Sequence, residues 1–235
     1  MKPATPLRTP LLSGVLAVLL TTAATGVRGL APSHGTFTPP DVRSAGDIPL
    51  PFQSLALGMV SFLVTLDASG GIQNVQVMRD VPALTGVAQT AVRSWHFVPA
   101  TKKGVPVPSN ISVSVVFNPY NPGGASFQTL TLAPPMVAPS PVPDGRAFVP
   151  PQVSSAAFAQ YPTASVGFGT VVLDLKIGAG GQLTNVRVVR KIASLTTPCI
   201  NAVHGWTFDP ATLDGKPVAA GLVVAFVFGV NASQP

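Results

Sequence analysis

Any catalytic or metal-binding group in this chain would have to come from three histidines, one cysteine, eight aspartates (there is no glutamate) and the serines. A general base needs an imidazole or carboxylate beside a nucleophile, and a metal needs several such ligands at short, regular spacing. His34, His96 and His204 are far apart, and no cysteine or carboxylate stands near them at ligand spacing. No G-x-S-x-G elbow occurs, and the glycine-rich "SGG" and "GAGG" lack the Lys-Ser/Thr ending that a phosphate cradle requires. The residues therefore predict no catalytic group, no cofactor and no metal site, and a protein that is not an enzyme.

A repeat sharpens this reading. "WHFVPAT" (Trp95 to Thr101) and "WTFDPAT" (Trp206 to Thr212) stand 111 residues apart, and sliding the sequence by 111 aligns about 79 positions without a gap, roughly 30 of them identical. Such self-similarity marks a duplicated structural unit. The chemically capable residues do not share in it. His96 meets Thr207, His204 meets Arg93, Asp67 meets Gly178, Asp174 meets Leu63 and Cys199 meets Ala88. What recurs is Trp95, Phe97 and Pro99 with Trp206, Phe208 and Pro210, a structural signature at the end of an apolar helix stripe. There the prolines oppose continuation of the helix and the aromatic rings turn the chain back toward a sheet.

The repeat divides the chain into a leader over residues 1–31, a first domain over 37–117, a Pro- and Gly-rich linker over 118–147, a second domain over 148–228 and a tail over 229–235. In the leader, Lys2 and Arg8 precede the apolar "LLSGVLAVLL" and the small residues of "TTAATG", the pattern of an export signal. An uncleaved anchor is the alternative, although Thr21, Thr22 and Thr25 dilute the second half of the run. Export places the mature chain in the periplasm or outside the cell; an anchor would hold it at the inner membrane, and a membrane is a partner only in that case. The net charge of +6 falls to a surplus of three once Lys2, Arg8 and Arg28 are set aside, too thin a footprint for nucleic acid. Cys199 is the only cysteine, so no intrachain disulfide braces either domain; its place on the helix stripe predicts a buried, inert thiol.

Within each unit the periodicity changes in a fixed order. Val60, Phe62, Val64 and Leu66 alternate with Ser61 and Thr65; a glycine turn and Val75 and Val77 complete a hairpin. Leu84, Ala88, Ala91, Val92 and Trp95 then fall on one helical stripe, repeated as Leu195, Cys199, Ala202, Val203 and Trp206, with Thr197 read as the N-cap and Pro198 as the first helical residue. A last strand carries Ile111, Val113, Val115 and Phe117. The predicted class is α+β: two tandem β-β-α-β domains, each a three-stranded antiparallel sheet with a helix packed on one face. The proline-rich linker between them suggests a semi-rigid tether that leaves the domains some freedom.

This ordered series resembles the C-terminal domain of the TonB energy transducers. The resemblance rests on "QYPTA" (Gln160 to Ala164), "GTVVLDLKI" (Gly169 to Ile177), "WTFDPAT" and "GKPV" (Gly215 to Val218), with "GMVSFLVTL", "WHFVPAT" and "GVPV" in the first copy. The first copy has Leu50-Pro51 in place of Tyr161-Pro162, and both helices carry threonine, Thr85 and Thr196, where the family prefers aspartate. The resemblance implies a bacterial envelope protein that captures an extended peptide from an outer-membrane receptor or other envelope protein by strand addition. Carried over by position, the binding residues would be Gln160, Tyr161 and Pro162 with the last strand, Leu222, Val223, Val224, Ala225, Phe226, Val227 and Phe228. The first reading is thus a non-enzymatic periplasmic or secreted TonB-like protein. The alternatives are a membrane-anchored TonB-type energy transducer in transmembrane transport and a structural envelope assembly protein. The third draws on "LVVAFVF", which is apolar on both faces where the first copy alternates with serine. Such a strand is suited to self-association or to packing against the sister domain.

Overall fold

The computed structural model describes residues 1, 37–50, 56–118, 129–132, 135 and 147–229. The leader beyond Met1, His34, Pro51, most of the linker and the tail beyond Gly229 lie outside the described residues. From His34 onward the chain belongs to one compact unit. Among the described residues it is mostly β-structure, with two helices.

The first copy runs β1 (Phe37–Thr38), β2 (Asp41–Ser44), β3 (Gly58–Leu66), β4 (Ile72–Arg79), α1 (Pro82–Val92), β5 (His96–Val98), β6 (Ala100–Lys102), β7 (Val105–Val107) and β8 (Ser109–Asn118). A two-residue strand, β9 (Thr129–Leu130), follows within the linker. The second copy repeats the order as β10 (Phe148–Val149), β11 (Gln152–Ala157), β12 (Gly169–Ile177), β13 (Leu183–Arg190), α2 (Thr196–His204), β14 (Thr207–Asp209), β15 (Ala211–Leu213), β16 (Lys216–Val218) and β17 (Ala220–Phe228).

The helix stripes form as their spacing predicts: α1 buries Leu84, Ala88, Ala91 and Val92, and α2 buries Cys199, Ala202 and Val203. Their starts have a shared device. Thr85 Oγ1 accepts the Val81 N–H at 3.0 Å, and its one proton faces the Asp80 carboxylate and the Val81 carbonyl, the latter at 3.1 Å; Thr196 Oγ1 accepts the Ile192 N–H at 3.1 Å and donates to the Ile192 carbonyl at 2.8 Å. The threonines thus satisfy a backbone donor just ahead of each helix. The second helix begins at Thr196 rather than after a Thr197 cap, and Leu195 is its N-cap without a side-chain bond.

The W-x-F-x-P signature locks each helix to its hairpin. Phe97 and Phe208 are buried on β5 and β14, which pair with β2 and β11. Their carbonyls press against the hairpin turns: a Cβ on Gly70 would lie 2.6 Å from the Phe97 oxygen, and one on Gly181 2.6 Å from that of Phe208. Both glycines also have positive φ, 87° and 82°. No residue with a side chain fits there without displacing backbone.

The two copies share one six-stranded sheet, ordered β13-β12-β17-β8-β3-β4. Its centre is a parallel pair of the two last strands, with Val224 opposite Ser114 and Leu222 opposite Ser112. Those partners are 110 apart, one less than the repeat. Neighbours in register point to the same face of a sheet and successive residues to opposite faces, so the odd offset turns equivalent residues to opposite sides. Val113 packs in the core with α1, while its equivalent Val224 packs in the core with α2.

Each core is therefore completed by the other copy. Val223, Ala225 and Val227 enter the α1 core, and Met59 and Val116 enter the α2 core. Separating the copies would expose these side chains, at roughly 1.5–3 kcal/mol for each large one. It would also break the central backbone ladder. The expected tether with freedom between domains gives way, for this physical reason, to one continuous body. Part of the linker joins it too: β9 pairs with β11 and buries Leu130 in the α2 core.

One exposed acid braces the first hairpin. Asp67 Oδ1 accepts from the Ser69 and Gly71 backbone N–H groups and the Ser69 hydroxyl, and Oδ2 accepts from Gln73. These bonds, the Ser69 hydroxyl foremost, lower its pKa from 3.8 to about 2. Because the folded value lies below the unfolded one, the stabilisation is present above about pH 4 and is lost as pH falls toward 2. Urea midpoints measured between pH 5 and pH 2 are expected to fall less steeply in Asp67→Asn than in the wild type; parallel curves would contradict the assignment.

Candidate protein-binding edges

The residues singled out for partner binding have very different placements. Tyr161 is buried; its hydroxyl donates to the Gly167 carbonyl at 2.8 Å and its ring lies 6.0 Å from that of Phe228. Pro162 is half-buried and its carbonyl accepts the Ser165 N–H, while Gln160 is exposed. Tyr161 thus fastens the 161–167 loop to the end of β17 rather than offering its ring to solvent. Leu222 to Phe228 are all buried, and both edges of their strand are taken, by β12 on one side and β8 on the other. A paired backbone has no ladder positions left for an incoming strand. In this sheet the last strand is a seam, not an open edge.

The open edges lie elsewhere. β4 and β13 end the sheet, each with one strand neighbour. Register shifts interrupt both near their ends, leaving Asn74–Val77 and Asn185–Val188 as equivalent four-residue stretches in continuous register. Large apolar residues are exposed where the adjoining strands begin, Leu57 at 47% before β3 and Phe168 at 64% before β12. These two positions are 111 apart, and antiparallel pairing sets them beside the far ends of β4 and β13. The sequence carried this signal in the apolar residues ahead of Gly58 and Gly169, but the periodic strand pattern begins only after them.

A second feature absent from the motif reading is a cluster of charges linking the copies. Asp174, 0% exposed on β12, accepts from Arg187 Nε at 3.1 Å and lies 3.1 Å from Lys176 Nζ. Arg187 Nη2 is 2.9 Å from Asp174 and 2.7 Å from Asp41, and it donates to the Val42 carbonyl at 2.9 Å; Lys176 also reaches Asp41, at 3.2 Å. Burial raises the Asp174 pKa despite its cationic neighbours. Burial also pushes Asp41 upward, but Lys176 and Arg187 outweigh it and hold that carboxyl below its usual value. The cluster pins β2 of the first copy to β12 and β13 of the second. Its signal was a charge inside the apolar "VVLDLKI".

The remaining reactive residues are quiet. His96 and His204 are exposed, with only a 3.5 Å contact from His96 Nδ1 to the Ser44 hydroxyl. Cys199 is buried, and burial raises its thiol pKa well above the usual value. No cluster of three or more metal-ligating side chains occurs among the described residues, and none of their helices is long and apolar enough to cross a membrane.

The duplicated, mostly β module has two outer strands with one strand neighbour each among the described residues. The model of the family described as Gram-negative bacterial TonB protein C-terminal matches the chain twice, at residues 56–119 and 165–230, and the chain belongs to that family as a tandem pair. No curated protein and no solved structure matches it. The family is one of envelope proteins whose C-terminal domains serve energy transduction and interact with outer-membrane proteins.

The two signature tryptophans differ in one bond. Trp206 Nε1 donates to the Ala157 carbonyl at 3.1 Å, whereas the buried Trp95 Nε1 has no acceptor among the described residues. A net buried hydrogen bond contributes about 1 kcal/mol. By chemical denaturation followed by circular dichroism, Trp206→Phe is expected to cost about 1 kcal/mol more than Trp95→Phe; equal costs would contradict this.

Proposed function

We propose that this chain is a non-enzymatic binding protein of the cell envelope, periplasmic or secreted, in which two TonB-type repeats act as one body. It captures extended segments of envelope proteins by adding them to the outer strands β4 and β13. The observation that carries this reading is the sheet order: the two outer strands have one neighbour each, and the last strand of each repeat has two. Strand addition draws its affinity from backbone hydrogen bonds and its selectivity from alternate side chains. The uninterrupted stretches Asn74–Val77 and Asn185–Val188 supply the first. Exposed Leu57 and Phe168, near the ends of the outer strands, supply apolar anchors.

The family resemblance sets the peptide along Leu222–Phe228 instead, which requires the central seam to open. The two readings separate in cells that make the protein. A photo-crosslinking residue at Asn74 or Asn185, both exposed, is expected to yield adducts with envelope proteins, whereas one at Val224 yields none. Adducts from Val224 alone would overturn the proposed edges in favour of the last strand.

A further inference from the structure

The second copy contains its own example of strand addition. β9 lies antiparallel against the end of β11, with Leu130 opposite Ala156 and Thr129 opposite Ala157. Leu130 is 5% exposed within the α2 core, and Ala157 offers its carbonyl to Trp206 Nε1. A short extended segment with one buried leucine thus completes that corner of the fold.

The first copy has the same corner without the segment. The equivalents of Ala156 and Ala157, 111 positions earlier, are Ala45 and Gly46. There β2 stops at Ser44, and no strand among the described residues pairs with these two positions. Trp95 is 4% exposed and its Nε1 is buried with no acceptor among the described residues. That nitrogen lies close to Gly46, since a Cβ built on the glycine would be 4.0 Å from it. A buried, unpaired indole N–H is costly, and native proteins rarely leave one unused.

We propose that the Ala45–Gly46 edge is a further docking place, distinct from β4 and β13. It takes an extended segment of another protein bearing a leucine-sized apolar residue between small polar ones, as β9 does. Docking continues β2 through Gly46 and brings the Gly46 carbonyl onto Trp95 Nε1–H, reproducing the bond that Trp206 makes. The occupant is a peptide strand rather than a small molecule, because the sister corner is filled by backbone pairing and one leucine side chain.

The chain's own sequence supplies the probe. A free peptide with the sequence of Phe127 to Ala133, "FQTLTLA", is added to full-length protein carrying labelled tryptophan, and the two indole N–H resonances are followed by NMR. The expected result is a shift of the Trp95 resonance and roughly five- to ten-fold slower hydrogen exchange there, the effect of one net hydrogen bond. The Trp206 resonance stays in place, and a peptide with Leu130→Asp has no effect. A Trp95 resonance unmoved at millimolar peptide would overturn the inference. So would a shift at Trp206 as large as that at Trp95. So would a Trp95 indole already as slow to exchange as Trp206 without peptide. This readout is separate from crosslinking at Asn74 and Asn185, so the failure of one proposal leaves the other standing.

Discussion

The parallel pairing of β8 with β17 governs the rest of the molecule. A central strand covered by helices on both faces of its sheet reads as a near-continuous apolar run, and β17 is one: Leu222, Val224 and Phe226 serve the α2 core, while Val223, Ala225 and Val227 serve the α1 core. The one-residue offset between the repeat and the register sends the two helices to opposite sides. Neither repeat then possesses a complete core of its own. The seam also occupies the backbone of both last strands, which moves any further strand addition to the periphery.

The duplicated motifs take on mechanical roles within that frame. The tryptophan signature closes each helix, and its phenylalanine carbonyl meets the hairpin glycine so closely that a side chain is excluded. Thr85 and Thr196, which depart from the family's preferred aspartate, still satisfy the backbone at each helix start. Residues that break the repeat add an ionic tie between the copies. Asp174 stands where the first copy has Leu63, and Asp41 where the second has Gln152. With Lys176 and Arg187 they form an ionic bridge found on only one side of the sheet's pseudo-symmetry.

Local order was legible in the sequence because it depends on periodicity and turn chemistry. The hairpins, the helix stripes and the family could all be read from the alternation of Val60 to Leu66, the spacing of Leu84 to Val92 and the twofold recurrence of the signature. The parity of the register was not legible, because a difference of one residue between 110 and 111 is set by packing across the seam and leaves no local trace. The apolar faces of "LVVAFVF" announced a second covering layer without saying whether a partner or the sister repeat supplied it. The position of Tyr161 was equally opaque: a Tyr-Pro element suits an exposed recognition loop, but the ring packs near Phe228 and the hydroxyl is bonded to Gly167. The two-residue strand β9 escaped notice because two residues carry no period.

Amide hydrogen exchange along the seam, measured in a series of sub-denaturing urea concentrations, tests the shared sheet most directly. If the two repeats form one body, the amides of Val223 to Val227 and Val113 to Val116 exchange only through global unfolding, with the same free energy and denaturant dependence as the innermost amides of β3 and β12. Seam amides that exchange through a separate, lower-energy opening, while β3 and β12 remain protected, would show two loosely joined domains and contradict the account.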